Sequence, residues 1–289
     1  MSSADSASTP DPLRLLLPEW QGSATEPSLS FAARALADRL YPNGFVEVEA
    51  PANEALPVED GVAGLASIVA RARHTRDLLQ DRQPSRLFVI GGTCGVELAP
   101  VSYLNARYHA DLAVLWLDAH ADLNTPGTSP SGHFHGMVLR TLLGAGPAPL
   151  VELLPRPLTR DQVILGGARD LDRDEAAFVS DAPVARLRPA DLLVPDRLSG
   201  VVRARGFRKI YIHLDLDVLD PAEFPHSLMQ TPAGVSMNAV AETVADLANA
   251  FDVVGFSVVE FRPRGGDAVG QLVNWLRKLP VFDLRSPAR

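Results

Sequence analysis

The chain has 289 residues, 46% of them hydrophobic, enough to build a full core in one large domain. A net charge of −8 with no Lys/Arg block excludes a nucleic-acid-binding face, which needs clustered positive charge. The single cysteine, Cys94, excludes an intrachain disulfide and fits a reducing cytoplasm, and no apolar run reaches the ~18 residues of a membrane span.

Residues 1–12 are small, polar and acidic, without the charged start and apolar stretch of a signal peptide. They read as a disordered lead-in to one domain over 13–289. Short apolar runs follow at Leu87–Ile90, Leu112–Leu117, Val163–Leu165, Ile210–Leu214 and Val253–Val259. Most are rich in β-branched or aromatic residues and several are continuously apolar, as expected of strands buried on both faces of a parallel sheet. Helices are predicted over roughly 136–145, 173–181, 189–204, 236–250 and 267–278. The Pro-rich stretch around 147–158 is expected to be a surface excursion. The alternation implies βαβ units and a single doubly wound α/β domain, with helix layers on both sides of a central parallel sheet.

Polar residues follow these runs repeatedly: Gly91-Gly92-Thr93-Cys94, Asp118-Ala119-His120-Ala121-Asp122, Arg169-Asp170-Leu171-Asp172, Asp215-Leu216-Asp217 and Glu260. Ligands of open parallel sheets bind beyond the carboxyl ends of the strands, so these residues converge on one strongly acidic site. Asp118, His120 and Asp122 alternate, as do Asp215 and Asp217, and alternate side chains of an extended segment share a face. Four carboxylates and an imidazole are hard or borderline ligands that suit Mn²⁺. Two ions about 3.5–4 Å apart, sharing carboxylates, can hold a hydroxide nucleophile at neutral pH. Alone, each motif could be a solvated acidic loop or a capping turn; their joint placement after buried strands favours metal binding.

The set resembles the arginase–agmatinase (ureohydrolase) family. The resemblance rests on Asp118–Asp122 with Asn124-Thr125-Pro126, on Ser131-Gly132-His133-Phe134-His135-Gly136, and on Asp215-Leu216-Asp217 with Leu219-Asp220-Pro221. Gly91-Gly92 and Glu260 fit the first and last motifs. It implies a fold with a central parallel sheet, two Mn²⁺ ions and a bridging hydroxide that attacks a guanidinium carbon. By position, Cys94, Asp118, Asp122 and Asp215 would hold the first ion, and Asp118, His120, Asp215 and Asp217 the second. The resemblance also implies a small guanidino amino-acid substrate and a homo-oligomer.

The family has His where this chain has Cys94, and Asp where it has Thr93. A thiolate is soft and Mn²⁺ is not, so the first ion is expected to be held weakly. Cys94 is expected to begin a helix, where a thiolate is favoured; the other reading is a small buried hydrophobe. The Cys variant is similar to the branch that hydrolyses Nω-hydroxy-L-arginine to hydroxyurea and ornithine, and this is the second functional reading. A degenerate member that binds without turnover is a third.

The resemblance assigns further roles by position. Asp172, supported by Glu175, would take the substrate α-amino group, in the manner of an arginase rather than an agmatinase. Asn124, Ser129 and Ser131 would bind the α-carboxylate. Glu260, with help from Thr231, would orient the guanidinium, and Asp122 or His135 would pass a proton to the leaving amine. His133 stands where the family more often has Asn. His74, His109, His213 and His226 match no motif.

Overall fold

The apolar runs pair side by side as parallel strands. The computed structural model describes residues 12–48, 56–109, 111–181 and 184–281. The lead-in expected to be disordered thus lies outside the described residues except for Pro12. Strand β1 (Leu13–Leu17) is followed by helix α1 (Ser28–Leu40) and the short β2 (Val46–Glu47). A small hairpin, β3 (Val58–Glu59) and β4 (Val62–Ala63), precedes α2 (Leu65–Arg82). Strand β5 (Leu87–Gly91) runs through a 3-10 turn at Cys94–Glu97 into α3 (Leu98–Arg107). Next come β6 (Ala113–Leu117), α4 (Val138–Leu142), α5 (Ala148–Val151), β7 (Val163–Gly166), α6 (Arg173–Asp181) and β8 (Ala185–Leu187). The order closes with α7 (Arg197–Ala204), β9 (Lys209–Asp215), α8 (Met237–Ala250), β10 (Asp252–Val259) and α9 (Ala268–Leu276).

Eight strands form one sheet in the order β2-β1-β5-β10-β9-β6-β7-β8, and every neighbouring pair is parallel. Alternate strand residues feed two cores. Phe88, Ile90, Leu115, Ile212 and Phe256 pack with α1, α7, α8 and α9, while Leu87, Val89, Val114, Trp116 and Tyr211 pack with α2, α3 and α4. This is the expected three-layer α/β/α arrangement, and burial of both faces explains the continuous apolar runs.

Helices α6, α8 and α9 lie where the sequence predicts them. Ser236 and Asp267 cap α8 and α9 by accepting the backbone N–H of Ala239 and Gly270. The helix predicted over 189–204 is interrupted: a 3-10 turn covers Pro189–Leu193 and α7 begins at Arg197. Pro195 lies between them and cannot donate to a helical hydrogen bond. The helix predicted over 136–145 is shorter than expected, a 3-10 turn followed by α4, and Gly144 at φ +87° ends it. The expected surface excursion contains α5 and is not merely surface, because Leu150, Leu153 and Leu158 are buried.

Register aligns the central strand ends. Ile90 pairs with Val258, Val258 with Leu214, and Leu214 with Leu117, so β5, β10, β9 and β6 stop at one level. The residues just beyond that row are the polar ones singled out above.

Candidate active site

Asp118 directly follows β6 and Asp215 ends β9, so the register sets two buried carboxylates side by side. The chain then turns tightly. Asp215 Oδ1 accepts the backbone N–H of Asp217 at 2.7 Å, and Asp118 Oδ1 accepts that of His120 at 2.6 Å. The Asp217 carboxylate accepts the N–H of Ala119 at 2.9 Å and lies 2.9 Å from His120 Nδ1. Asp118, His120 and Asp217 therefore present ligand atoms within 4.8 Å of one another.

The other half is built from β5 and β10. A Cβ at Gly92 would lie 1.7 Å from the Glu19 carbonyl, so only glycine fits there. Gly92 in turn accepts the Glu260 N–H through its carbonyl at 2.8 Å. Glu260 has φ +60° and Asp122 has φ +52°, left-handed conformations that cost a side-chain-bearing residue free energy and concentrate at functional sites. Cys94 is buried; its N–H donates to Glu260 Oε1 at 3.0 Å and its Sγ–H to Asp215 Oδ2 at 3.2 Å. His135 Nδ1 lies 3.2 Å from the same Glu260 oxygen. Cys94, Asp215 and Glu260 form a second group, and Cys94, Asp118, Asp122 and His213 a third, each within 4.8 Å.

Several groups resist their own charge. Burial, then the negative charge of Asp118, pushes Asp122 far above the usual carboxylate range. Burial with Asp217 and Asp118 does the same to Asp215, and burial with Asp118 raises Asp217. Burial also works against the charge of Asp118, but His120 and His213 beside it pull its carboxyl down. Burial opposes a charged His120, and Asp118 and Asp217 outweigh it and raise the imidazole. The Cys94 thiol is pushed well up by burial and then by Asp122, Asp215, Glu260 and Asp118. Cys94 is buried, as one reading expects, and its Sγ lies among the facing ligand atoms, as the other requires. His135 is raised: burial lowers it, but the Glu260 hydrogen bond and charge outweigh burial.

A divalent cation fits this set. Asp122 Oδ2, Glu260 Oε2 and His213 Nε2 are buried without hydrogen-bond partners, which is costly unless a ligand satisfies them. Oxygen donors with one or two imidazoles are the chemistry of a hard or borderline dication.

The cluster floors a pocket of about 220 Å³. Its walls include Asn124, Ser129, Ser131, His133, His135, Asp172 and Glu175. Asn124 Nδ2 donates to Asp172 Oδ2 at 2.8 Å, and Glu175 accepts the N–H groups of Leu123 and Asp172 at 2.8 and 2.9 Å. Glu175 thus ties the loop after β6 to the start of α6. Ser129 and Ser131 lie at the rim, their hydroxyls 3.4 Å apart. Thr231 lies on an adjoining turn and is not among the pocket-lining residues. Its carbonyl is held by Arg169 Nη2 at 2.6 Å, and Arg169 also binds the carbonyls of Pro232 and Asp217. Two features escaped the sequence reading: this Arg169 clasp, and His213, which alternates with Asp215 and Asp217 just as Asp118, His120 and Asp122 alternate.

The chain matches the profile of the Arginase family over residues 45–270. It is 32% identical to an arginase of Staphylococcus aureus (strain MRSA252) over 181 residues, 61% of this chain and 60% of that protein's length. It is 31% identical over 198 residues to the N(omega)-hydroxy-L-arginine amidinohydrolase of Streptomyces lavendulae, covering 68% of each. The fold matches the arginase of Entamoeba histolytica, solved in complex with L-ornithine, with a TM-score of 0.84 at 19% identity over 92% of this chain and 97% of that one. The formimidoylglutamase of Bacillus subtilis is similar at a TM-score of 0.74 and 18% identity, over 99% and 90% of the two chains. The profile covers most of the chain, including every strand at the floor of the pocket: the chain belongs to the arginase family.

Proposed function

We propose that this chain is a Mn²⁺-dependent amidinohydrolase that cleaves the guanidinium group of an arginine-like amino acid, giving urea and ornithine from arginine. The observation that carries the reading is a pair of buried, unpartnered oxygens at one pocket, Asp122 Oδ2 and Glu260 Oε2. The first invites a metal ion and the second a planar cation. Bound Mn²⁺ would supply positive charge and a water acidic enough to act as nucleophile at neutral pH. Asp118, Asp122 and Asp215, beside Cys94, would hold one ion, and Asp118, His120, Asp215 and Asp217 the other.

Glu260 is aimed by the Cys94 N–H and by His135, both on Oε1, which leaves Oε2 for the guanidinium N–H groups. Thr231 assists from the adjoining turn. Asp172, fixed by Asn124 and backed by Glu175, takes the α-amino group. Asn124, Ser129 and Ser131 offer neutral donors to the α-carboxylate. His135, raised by Glu260 against the effect of burial, holds a proton for the departing amine, and Asp122 is the other candidate donor. The lone cysteine suits a reducing cytoplasm, and no helix among the described residues is long and apolar enough to cross a membrane. A homo-oligomer is part of the proposal.

Cys94 and the likeness to the Streptomyces lavendulae enzyme favour a second reading, cleavage of Nω-hydroxy-L-arginine to hydroxyurea and ornithine. The test is to load the protein with Mn²⁺ and offer arginine, Nω-hydroxy-L-arginine and agmatine. Ornithine with urea or hydroxyurea is expected. Efficient agmatine cleavage sinks the amino-acid assignment, and a protein that takes up no Mn²⁺ and releases no product sinks the enzyme reading.

A further inference from the structure

Within the half of the floor built around Cys94 and Asp122, one imidazole belongs to the group of facing ligand atoms, and it is His213. Its ring is fully buried, one position along the same strand face from Asp215. Its two nitrogens are treated differently. Nδ1 lies 3.2 Å from Glu97 Oε1, while Nε2 has no hydrogen-bond partner and lies 3.7 Å from Asp118 Oδ2, beyond hydrogen-bond length.

The surroundings fix the ring in that pose. It stacks on Trp116 with centroids 3.5 Å apart and planes 14° from parallel. Glu97 is held in turn by the Tyr211 hydroxyl at 2.5 Å. Tyr211 needs Gly255, because a Cβ there would lie 2.0 Å from its ring. A carboxylate on Nδ1–H, a locked ring and a free Nε2 facing carboxylates are what an imidazole ligand requires of its outer shell. A merely structural histidine in this core has no need of an unpartnered nitrogen.

We infer that His213 is a metal ligand, binding through Nε2 the ion on the Cys94–Asp122 side, with Glu97 as its orienting carboxylate. The inference rests on the proposed metal-dependent hydrolase. It assigns the imidazole of that site to β9 rather than to position 94, where a cysteine stands. The ion on this side is then held by nitrogen and carboxylate oxygens, and Cys94 is free to be a packing and hydrogen-bonding group.

The experiment compares Mn²⁺ content and affinity in the full chain with those of His213→Gln, chosen because the amide can still donate to Glu97. The unaltered protein should bind two Mn²⁺ per subunit. His213→Gln should keep one and bind the other at least about tenfold more weakly, with the melting temperature of the chelated protein little changed. Adding Cys94→His to that variant should restore the lost ion. Glu97→Gln, which leaves all ligands in place, should weaken the same ion about tenfold. The inference is overturned if His213→Gln binds both ions as tightly as the unaltered chain while its chelated form melts lower, the outcome of a structural role. Loss of folding in the variant leaves the Co²⁺-loaded unaltered protein as judge. There the buried His213 Nδ1 proton should appear as a hyperfine-shifted, slowly exchanging NMR signal. Its absence with two Co²⁺ bound overturns the inference and leaves the proposed function standing. A chain that binds no metal at all overturns both.

Discussion

Strands β9 and β10 carry charged groups at both ends, and the two ends are built in opposite ways. Where they begin, Asp252 sits between Arg86 at 2.5 Å and Lys209 at 2.7 Å. These pairs hold its carboxyl below the usual range although burial works against them. Where they finish, Asp215 and Glu260 meet Asp118, Asp122 and Asp217, and the described residues that line the pocket there include imidazoles but no Lys or Arg. There burial and like charge push Asp122, Asp215 and Asp217 up. The same residue type on the same sheet is thus fully compensated at one edge and compensated only in part, by imidazoles, at the other. Only the edge whose carboxylates outnumber their partners has a reason to bind cations, and two of its residues, Asp122 and Glu260, take left-handed backbone.

The sharpest way to break this contrast is to remove a carboxylate from the acidic edge. Asp118→Ala or Asp215→Ala should cut turnover about 10³-fold or more and release metal, since each is assigned to both ions. Either variant retaining both ions and near-normal turnover contradicts the binuclear assignment. Glu260→Gln should come next. It replaces a charged acceptor for the guanidinium with a neutral one, so KM should rise by about 10- to 100-fold while Mn²⁺ content stays constant. Mn²⁺ loss in this variant would move Glu260 from the substrate to the metal. Asp172→Ala should weaken substrates that carry an α-amino group by ~2 kcal/mol, because it leaves an ammonium without its partner. Guanidino compounds lacking that amine should be unaffected, and an equal loss on both would remove Asp172 from the substrate contact.

The acidic edge was largely legible in the sequence because its signals are local. Period-two spacing after an apolar run puts Asp118, His120 and Asp122 together, and likewise Asp215 and Asp217. His213 obeys the same period, yet it lies inside an apolar run, where the pattern alone gives it no role. Only the fold shows that Trp116, Glu97 and Tyr211 surround it. The five central strands were visible because burial on both faces makes them continuously apolar. Strand β1 (LRLLL) escaped because Arg14 breaks its run, and β8 is a three-residue edge strand with almost no pattern. Helices α1 and α2 escaped because no predicted strands bracketed them, and α2 is predominantly polar; α3 lies between two predicted strands but is buried from Leu98 to Asn105, so it shows no polar face to mark its period. The compensated edge was illegible in principle: Arg86, Lys209 and Asp252 are far apart in the chain, and only strand register brings them together.

The smallest expected effect tests the contrast most directly, because it asks for opposite signs from one substitution. Asp215→Asn, measured with chelator at neutral pH, should raise the melting temperature by about 2–4 °C. It removes a buried charge facing Asp217 and Asp118, and the amide oxygen can still accept the Asp217 N–H. Asp252→Asn should lower it by about 2 °C, equivalent to ~1 kcal/mol, a figure kept small because the site is about one-third exposed and screened by water. The pH dependence of the Asp252 effect follows from its depressed pKa. Its stabilisation is fully present above the unfolded value of about 3.9 and fades as pH falls through the lower folded value. The Asp252→Asn deficit should therefore be constant from neutral pH down to about 5 and close in stronger acid. Two deficits of the same sign would mean that the carboxyl ends of these strands are stabilised by Asp215 even without a cation, and that the difference between the edges is not one of charge compensation.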